Sequence, residues 1–282
     1  MGKEHQGYTV RARTIIKNSV KRVLLSLSGL LPDEAMPILL YHSIDNSEME
    51  DSVSPKVFFH QMEYLHSEGY RAVSLDEIDI YLKSRNQRRL SKTLAITFDD
   101  GYRSVYQYAM PILRRFGFPA SVFLPTQHVG RHSEWTHPKE PLLTWNEVLA
   151  MEKDGILFGT HGHSHRDLTV LTQEQARRDL EVSKRILEDK LGKPIAYTAY
   201  PFSKSNGIIE ELALECGYKT SFSAIGVEGR RRPSMQKDSF VILRRSVIKK
   251  DDMLSFEFVL ASTYHYYFDL QRVLSFSKGG RA

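Results

Sequence analysis

The sequence predicts an α/β fold built on parallel strands, and three observations carry that expectation. Eight short apolar runs recur along the 282 residues. Several are apolar almost throughout, as strands covered on both faces are. Segments with helical spacing lie between many of them, and strand–helix alternation implies parallel strands joined by right-handed crossovers. Seven or eight such repeats over about 245 residues match the size of a (β/α) barrel. A doubly wound open sheet accommodates the same alternation, and periodicity does not choose between the two.

The strand-like runs are Pro37–His42, Ala72–Leu75, Thr93–Phe98, Ala120–Leu124, Ile156–His161, Ile195–Pro201, Lys219–Ser223 and Phe240–Arg244. Pro55–Ser67 sets Phe58, Phe59, Met62 and Leu65 at helical spacing. Thr144–Asp154 opens with Thr144 and carries Glu147 three residues on, the reciprocal pattern of a capped helix start. Thr172–Leu191 repeats it with Gln175 and places Ala176, Leu180, Leu187 and Leu191 on one face. Asn206–Cys216 starts from a favourable cap. Glycine closes five helical segments, at Gly69, Gly117, Gly155, Gly192 and Gly217. With no internal repeat and no low-complexity linker, the expected organisation is an N-terminal extension over 1–36 and one catalytic domain over 37–282, its core motifs within 92–260.

Hydrophobic residues make up 41% and charged residues 26%, the balance of a globular chain. A lone cysteine, Cys216, rules out an intrachain disulfide. Net charge is +5, from 39 Lys+Arg against 34 Asp+Glu. The basic clusters Arg230-Arg231-Arg232, Arg244-Arg245 and Lys249-Lys250 read first as solvated surface and second as attraction to an acidic glycan or an anionic membrane. No nucleic-acid motif is present, so no nucleic-acid partner is expected. Residues 10–31 carry Arg11, Arg13, Lys17, Lys21 and Arg22 ahead of the apolar run Val23–Leu31. That run is far short of the roughly 20 residues a bilayer span needs. Pro32-Asp33-Glu34 behind it makes a poor signal-peptide cleavage site. A basic amphipathic helix, packed on the domain or in peripheral contact with a membrane, fits this segment. The expected location is cytoplasmic or peripheral to the membrane.

Two clusters carry the chemistry. In Thr97-Phe98-Asp99-Asp100-Gly101-Tyr102, two carboxylates close an apolar strand and a glycine follows. Adjacent carboxylates repel, and a bound divalent cation relieves this by taking one as a ligand and leaving the other as a base. A solvated Asp-Gly turn is the plain alternative. In Thr160-His161-Gly162-His163-Ser164-His165, His161 and His165 are four apart, so on a helical turn both rings face one side. His163 could replace either neighbour, but the spacing favours the outer pair. One carboxylate with two imidazoles leaves coordination positions open, the arrangement of a catalytic rather than a structural metal site.

These two runs, together with Leu168 and with Leu143-Thr144-Trp145 between them, resemble the NodB-homology polysaccharide deacetylases, carbohydrate esterase family 4. The resemblance covers about residues 37–260. It implies a distorted (β/α) barrel with about seven parallel strands. It implies a metal-dependent hydrolase that removes N-acetyl or similar acyl groups from an amino sugar or polysaccharide, with an acetylated glycan as substrate. It implies Asp99 as general base and Asp100, His161 and His165 as ligands of a divalent metal, with Zn2+ first and Co2+ or Ni2+ as alternatives. Many members carry an arginine two residues before the proline of Ala199-Tyr200-Pro201-Phe202, where it orients the catalytic aspartate. Ala199 occupies that place here and leaves Asp99 without that partner. The Ala-Tyr-Pro variant, with Pro37–His42, is similar to the exopolysaccharide (poly-N-acetylglucosamine) deacetylase branch. Tyr200 and Pro201 are expected to wall the pocket, and the Tyr102 N–H to meet the oxyanion. The family's late leucine–histidine motif is missing, so His42, at the end of the first strand, is the candidate general acid, with a structural hydrogen bond as its alternative role. Leu243-Arg244-Arg245 resembles a late strand lining the groove. The rival readings are a catalytically impaired carbohydrate-binding relative, and a deformylase or O-deacetylase acting on a lipid-linked sugar.

Overall fold

A computed structural model describes residues 36–47, 49–83, 92–224, 241–248 and 253–260, together with Ser19, Arg22 and Val23. The described residues fall into two compact units, one of them spanning Ile38–Asp251. The other holds the helix Met253–Leu260 and the helical residues Ser19, Arg22 and Val23. The rest of the basic segment 10–31 lies outside the described residues, as do Arg230-Arg231-Arg232 and Lys249-Lys250. Among the described residues, no helix is long and apolar enough to cross a membrane.

The larger unit is a parallel barrel. Its strands are β1 (Ile38–Tyr41), β2 (Arg71–Ala72), β3 (Thr93–Phe98), β4 (Ser121–Leu124), β5 (Leu157–Thr160), β6 (Tyr197–Ala199), β7 (Thr220–Ala224) and β8 (Val241–Val247). Hydrogen bonding runs in sequence from β3 to β8, and β1 closes the ring by pairing with both β8 and β3. The closed ring therefore has seven parallel strands, which decides for the barrel against the open sheet. β2 stands outside the ring, attached to the start of β3 through Arg71↔Thr93 and Ala72↔Leu94. The strand expected over Ala72–Leu75 is cut short because Leu75 opens a helix, Leu75–Lys83. Its start is fixed reciprocally: the Glu77 N–H donates to Ser74 Oγ (3.2 Å), and the Ser74 N–H to Glu77 Oε2 (2.9 Å). At the other end of the chain, β8 runs three residues beyond the expected Arg244.

The remaining helices of this unit are Pro55–Ser67, Met110–Phe116, Trp145–Lys153, Gln173–Leu191 and Gly207–Glu215. The capping pairs Thr144/Glu147 and Thr172/Gln175 both form. Met110–Phe116 follows directly on one π-helical stretch, Val105–Ala109.

Period-two alternation sorts the strand residues between two cores. Tyr41 and Phe98 turn outward onto Phe58 of the Pro55–Ser67 helix, with ring centroids 5.1 Å and 5.9 Å from it. Each such buried ring contributes about 1.5–3 kcal/mol. Thr97 turns inward, as do Phe123 of β4 and Phe222 of β7, whose rings meet at 5.2 Å. The inner core also holds a guanidinium, since Arg245 of β8 is 0% exposed and lies 5.1 Å from the Phe123 ring and 5.8 Å from the Phe222 ring. Of the Arg244-Arg245 pair, expected on the solvated surface, Arg245 is an interior residue, and the Arg244 side chain lies outside the described residues.

Candidate active site

In a parallel barrel the side chains that follow the strands gather at one face. Asp99 and Asp100 follow β3, His161 follows β5, Tyr200 and Pro201 follow β6, and His42 follows β1. The Asp99 N–H donates to the Tyr41 carbonyl (3.0 Å), which continues the β1–β3 ladder one residue past the strand. The chain then swings through two left-handed residues, Asp100 (φ 68°) and Gly101 (φ 68°), so both carboxylates stay at the face of the barrel. A Cβ at Gly101 would come within 2.6 Å of Leu124 Cδ2, so a larger residue here must displace that side chain in a left-handed backbone conformation that favours glycine.

The histidine run does not form the helical turn that its spacing suggests. It is an open loop, with Gly162 at φ 68° and His165 at φ 53°. Asp179, from the Gln173–Leu191 helix, holds it in shape. Its Oδ1 accepts the His163 N–H (2.6 Å), and its Oδ2 accepts the Ser164 N–H (3.0 Å) and hydroxyl (2.5 Å). A Cβ at Gly162 would meet Asp179 Oδ1 at 2.8 Å and Pro201 Cγ at 3.5 Å. Pro201 thus lies beneath this loop. The loop brings His161 and His165 together and sends His163 aside, its Nδ1 2.9 Å from Thr126 Oγ1.

Asp100, His161 and His165 form a buried cluster whose ligand atoms all lie within 4.8 Å of one another. Asp100 Oδ1 is 3.3 Å from His161 Nε2 and 3.0 Å from His165 Nε2. Ligands bound at about 2.0–2.2 Å sit about 2.8–3.6 Å apart in octahedral or tetrahedral geometry, so these separations fit a single divalent ion. The orientation fits as well: His161 Nδ1 lies 2.8 Å from the Ala199 carbonyl and donates to it, which turns Nε2 toward the cluster. The electrostatics ask for a cation. Burial raises the Asp100 pKa, but the His165 charge and hydrogen bonds from both histidines outweigh it and bring it well below the usual carboxylate range. Burial depresses His161, yet the Asp99 charge and the Asp100 carboxylate raise it overall, while His165 is held down by burial. The ion pairs of Asp100 among the described residues are with these two imidazoles, not with lysine or arginine.

Asp99 is balanced differently. Arg245 Nη1 donates to its Oδ1 (2.6 Å) and Nη2 to its Oδ2 (2.7 Å), a bidentate pair with side chains 0% and 4% exposed. Burial raises the Asp99 pKa, but the Arg245 charge, His161 and the Arg245 hydrogen bonds lower it overall. The carboxylate therefore stays ionised at neutral pH. The expectation that Asp99 lacks an arginine because of Ala199 is overturned, since the guanidinium arrives from β8 instead. Its sequence signal was an arginine in a β-prone run, at a position read as surface.

His42 stands close enough to both carboxylates for its charge to lower their pKa values. Its Nδ1 is buried and has no hydrogen-bond partner. Tyr102 is buried, its hydroxyl 3.1 Å from Trp135 Nε1. Tyr200 does not join the cluster: it is 0% exposed, and its hydroxyl lies toward Ser221, Glu210 and Tyr218. Phe202 takes the rim instead, 50% exposed, with its ring 5.0 Å from His165 and its backbone at φ 56°. Trp135 on the other loop stacks on His165 at 3.8 Å and donates its indole N–H to Asp100 Oδ2 (3.0 Å). The sequence reading singles out neither aromatic, because isolated aromatics in loops carry no periodic signal.

Known proteins bear on this geometry. A family model described as polysaccharide deacetylase matches residues 86–221. YxkH of Bacillus subtilis (strain 168) is 29% identical over 184 residues, which are 65% of this chain and 62% of YxkH, so the match spans less than two thirds of that relative. Poly-beta-1,6-N-acetyl-D-glucosamine N-deacetylase of Staphylococcus aureus (strain MRSA252) is 26% identical over 200 residues, 66% of this chain and 67% of the relative. Among solved structures, IcaB from Ammonifex degensii superposes with a TM-score of 0.67 at 22% identity, covering 81% of this chain and 97% of IcaB. The Streptococcus pyogenes deacetylase PplD, in complex with acetate, gives 0.63 at 24% identity, covering 76% and 92%. At these identities the two structures speak for the fold alone, a parallel (β/α) barrel. The polysaccharide deacetylase model lies over β3 to the start of β7 of that barrel and over both motif loops, and that family is what this chain is similar to.

Proposed function

We propose that the protein is a metal-dependent de-N-acylase of an acetylated amino sugar or polysaccharide, of the poly-N-acetylglucosamine type. One observation carries the reading: the buried cluster of Asp100, His161 and His165 faces a second carboxylate, Asp99, whose charge is already balanced by Arg245. Asp100 and the two Nε2 atoms would hold the ion, with zinc as the first choice and cobalt or nickel on the same donor set. When bound, the ion supplies Lewis acidity, which acidifies water and polarises an acyl carbonyl.

The chain's own groups complete the reaction. Asp99 accepts the proton of the attacking water. Both of its oxygens bond to Arg245, yet each keeps a lone pair, and Oδ2 is the oxygen turned to the cluster, 3.9 Å from His161 Nε2. Arg245 keeps that carboxylate ionised and its plane fixed. The Tyr102 N–H is assigned to the oxyanion and His42 to protonation of the leaving nitrogen. Water oxygen bonds to the acyl carbon, the C–N bond breaks, and the products are a carboxylate and a free amine. Pro201 supports the histidine loop, and Phe202 forms the rim on that side. The domain boundaries at 36/37, a cytoplasmic or membrane-peripheral location and membrane contact through residues 10–31 belong to the same proposal, and the support for that contact is the basic–apolar pattern of that segment. The arginine missing at 199 and the missing late histidine are the two reasons to favour an impaired sugar-binding relative; the Asp99–Arg245 pair answers the first, and His42 is assigned to the second.

Metal analysis of the purified protein, followed by acyl release from acetylated glycans, tests the reading. The expected result is stoichiometric metal and acetate release, with Asp99→Asn keeping the metal and losing turnover by about 10²–10⁴-fold. Near-normal release by Asp99→Asn, or stoichiometric metal in His161→Ala, would overturn the assignments.

A further inference from the structure

A metal-binding imidazole ordinarily donates its second ring N–H to a carbonyl or carboxylate, which fixes the ring and sharpens the ligand. His161 does so through Ala199. His165 does not, because its Nδ1 is buried without a hydrogen-bond partner. What faces the His165 ring is aromatic: Trp135 at 3.8 Å with planes 31° apart, and Phe202 at 5.0 Å and 54°.

Trp135 also reaches the carboxylate. Its indole N–H lies 3.0 Å from Asp100 Oδ2, while Oδ1 of the same group faces His161 and His165. Holding Oδ2 presents Oδ1 to the cluster. The indole is itself backed by His128, edge-on at 5.1 Å and 90°, whose Nε2 reaches the Ser164 carbonyl (3.3 Å) on the loop that Asp179 clamps. One side chain therefore braces two of the three candidate ligands, which come from loops 65 residues apart.

We propose that Trp135 is a positioning residue of the metal centre: it selects the Asp100 oxygen offered to the ion and takes over, by stacking, the orienting role that a hydrogen bond plays for His161. The inference rests on the metal reading above, and Trp135 touches neither substrate nor reacting atoms in it.

The test is zinc affinity, measured by chelator competition on the full chain. Trp135→Phe keeps a stacking ring and deletes the N–H, and should weaken zinc about 10- to 100-fold, the usual cost of losing an outer partner of a ligand. The metal-free variant should remain folded, its midpoint lowered by no more than the loss of one hydrogen bond to Asp100. A merely structural residue would move the midpoint and leave the affinity of folded molecules alone. An unchanged zinc affinity in Trp135→Phe overturns the proposal. An independent measurement needs no change at Trp135. The chain has two tryptophans, so in Trp145→Phe the emission comes from Trp135 alone. Stoichiometric cobalt should quench it, and unaltered emission overturns the proposal. A wild-type chain that binds no zinc overturns the metal reading and this inference together. Normal zinc binding with an indifferent Trp135→Phe overturns this inference alone.

Discussion

The Asp99–Arg245 pair makes the sharpest energetic prediction, because both charges are removed from water and each has the other as its main compensation. Two charge-assisted bonds of 2.6 and 2.7 Å join groups that are 0% and 4% exposed. Hydrogen bonds to charged groups are each worth about 1.5–3 kcal/mol, and stranding one member of a buried pair costs about 3–5 kcal/mol. Arg245→Met should therefore lose about 3–5 kcal/mol, out of a total stability of about 5–15 kcal/mol. Asp99→Leu should lose a similar amount by stranding the guanidinium between Phe123 and Phe222. The double variant replaces the pair by apolar groups and should recover most of the loss, since such replacements are often neutral. With two single losses of about 3–5 kcal/mol set against a nearly neutral double, the coupling free energy from urea unfolding of the four metal-free proteins should be about 5 kcal/mol or more. The sign of the pH dependence follows from Asp99, whose pKa is depressed in the folded chain. Its contribution is present at neutral pH and is lost as pH falls below the ordinary carboxylate range, so the coupling should shrink in acid. Additive single losses, with coupling below about 0.5 kcal/mol, would refute the argument.

Gly162→Ala places a Cβ 2.8 Å from Asp179 Oδ1 at a φ of 68°, so the loop must shift. Zinc affinity should fall at least about tenfold by chelator competition, with stability down by about 1–3 kcal/mol, and wild-type affinity would show that the clamp does not set the ligand geometry. Thr172→Ala removes the cap that receives the Gln175 N–H (3.3 Å) at the start of the 19-residue helix. It should cost about 1 kcal/mol in thermal unfolding and leave zinc affinity unchanged.

What the sequence discloses and what it hides divide along physical lines. Helix starts with a hydroxyl and a carboxylate or amide three residues on are local, so the 144 and 172 starts are legible. Ser74 with Glu77 carries the same signal, but the apolar Ala72–Leu75 run conceals it, and Leu75 proves to be the first helical residue. Met110–Phe116 is masked by Pro111, a helix breaker in the interior but acceptable at a helix start, where no N–H is needed. The motif residues at strand ends are legible because their types are rare in apolar runs. Asp179 is not, because a buried carboxylate bonding loop N–H groups looks the same in sequence as a solvated helix face. Arg245 fails for the same reason, and the predicted strand end at Arg244 stops one residue short of it.

The position of Arg245 follows from closure of the ring. β8 and β3 are both neighbours of β1, so an inward side chain on β8 reaches the end of β3 across a single strand. Thr97 marks the path: its hydroxyl donates to the Leu39 carbonyl of β1 (2.8 Å) and accepts from Arg245 Nη1 (3.3 Å). In an open sheet β8 and β3 would lie at distant edges, and no arginine on β8 could serve Asp99. The small Ala199 side chain and the buried arginine on β8 are then two halves of one arrangement, in which the counter-charge enters from the far side of the barrel. That arrangement also breaks the symmetry between two adjacent carboxylates. Asp99 holds a permanent cation on both oxygens and has little to gain from another. Among the described residues Asp100 has imidazoles, an indole N–H and the Tyr102 hydroxyl but no lysine or arginine, which leaves a buried negative charge for a divalent ion to neutralise. The roles proposed for Asp100 as ligand and Asp99 as base therefore rest on which carboxylate the guanidinium has already taken, and exchanging them would require moving Arg245.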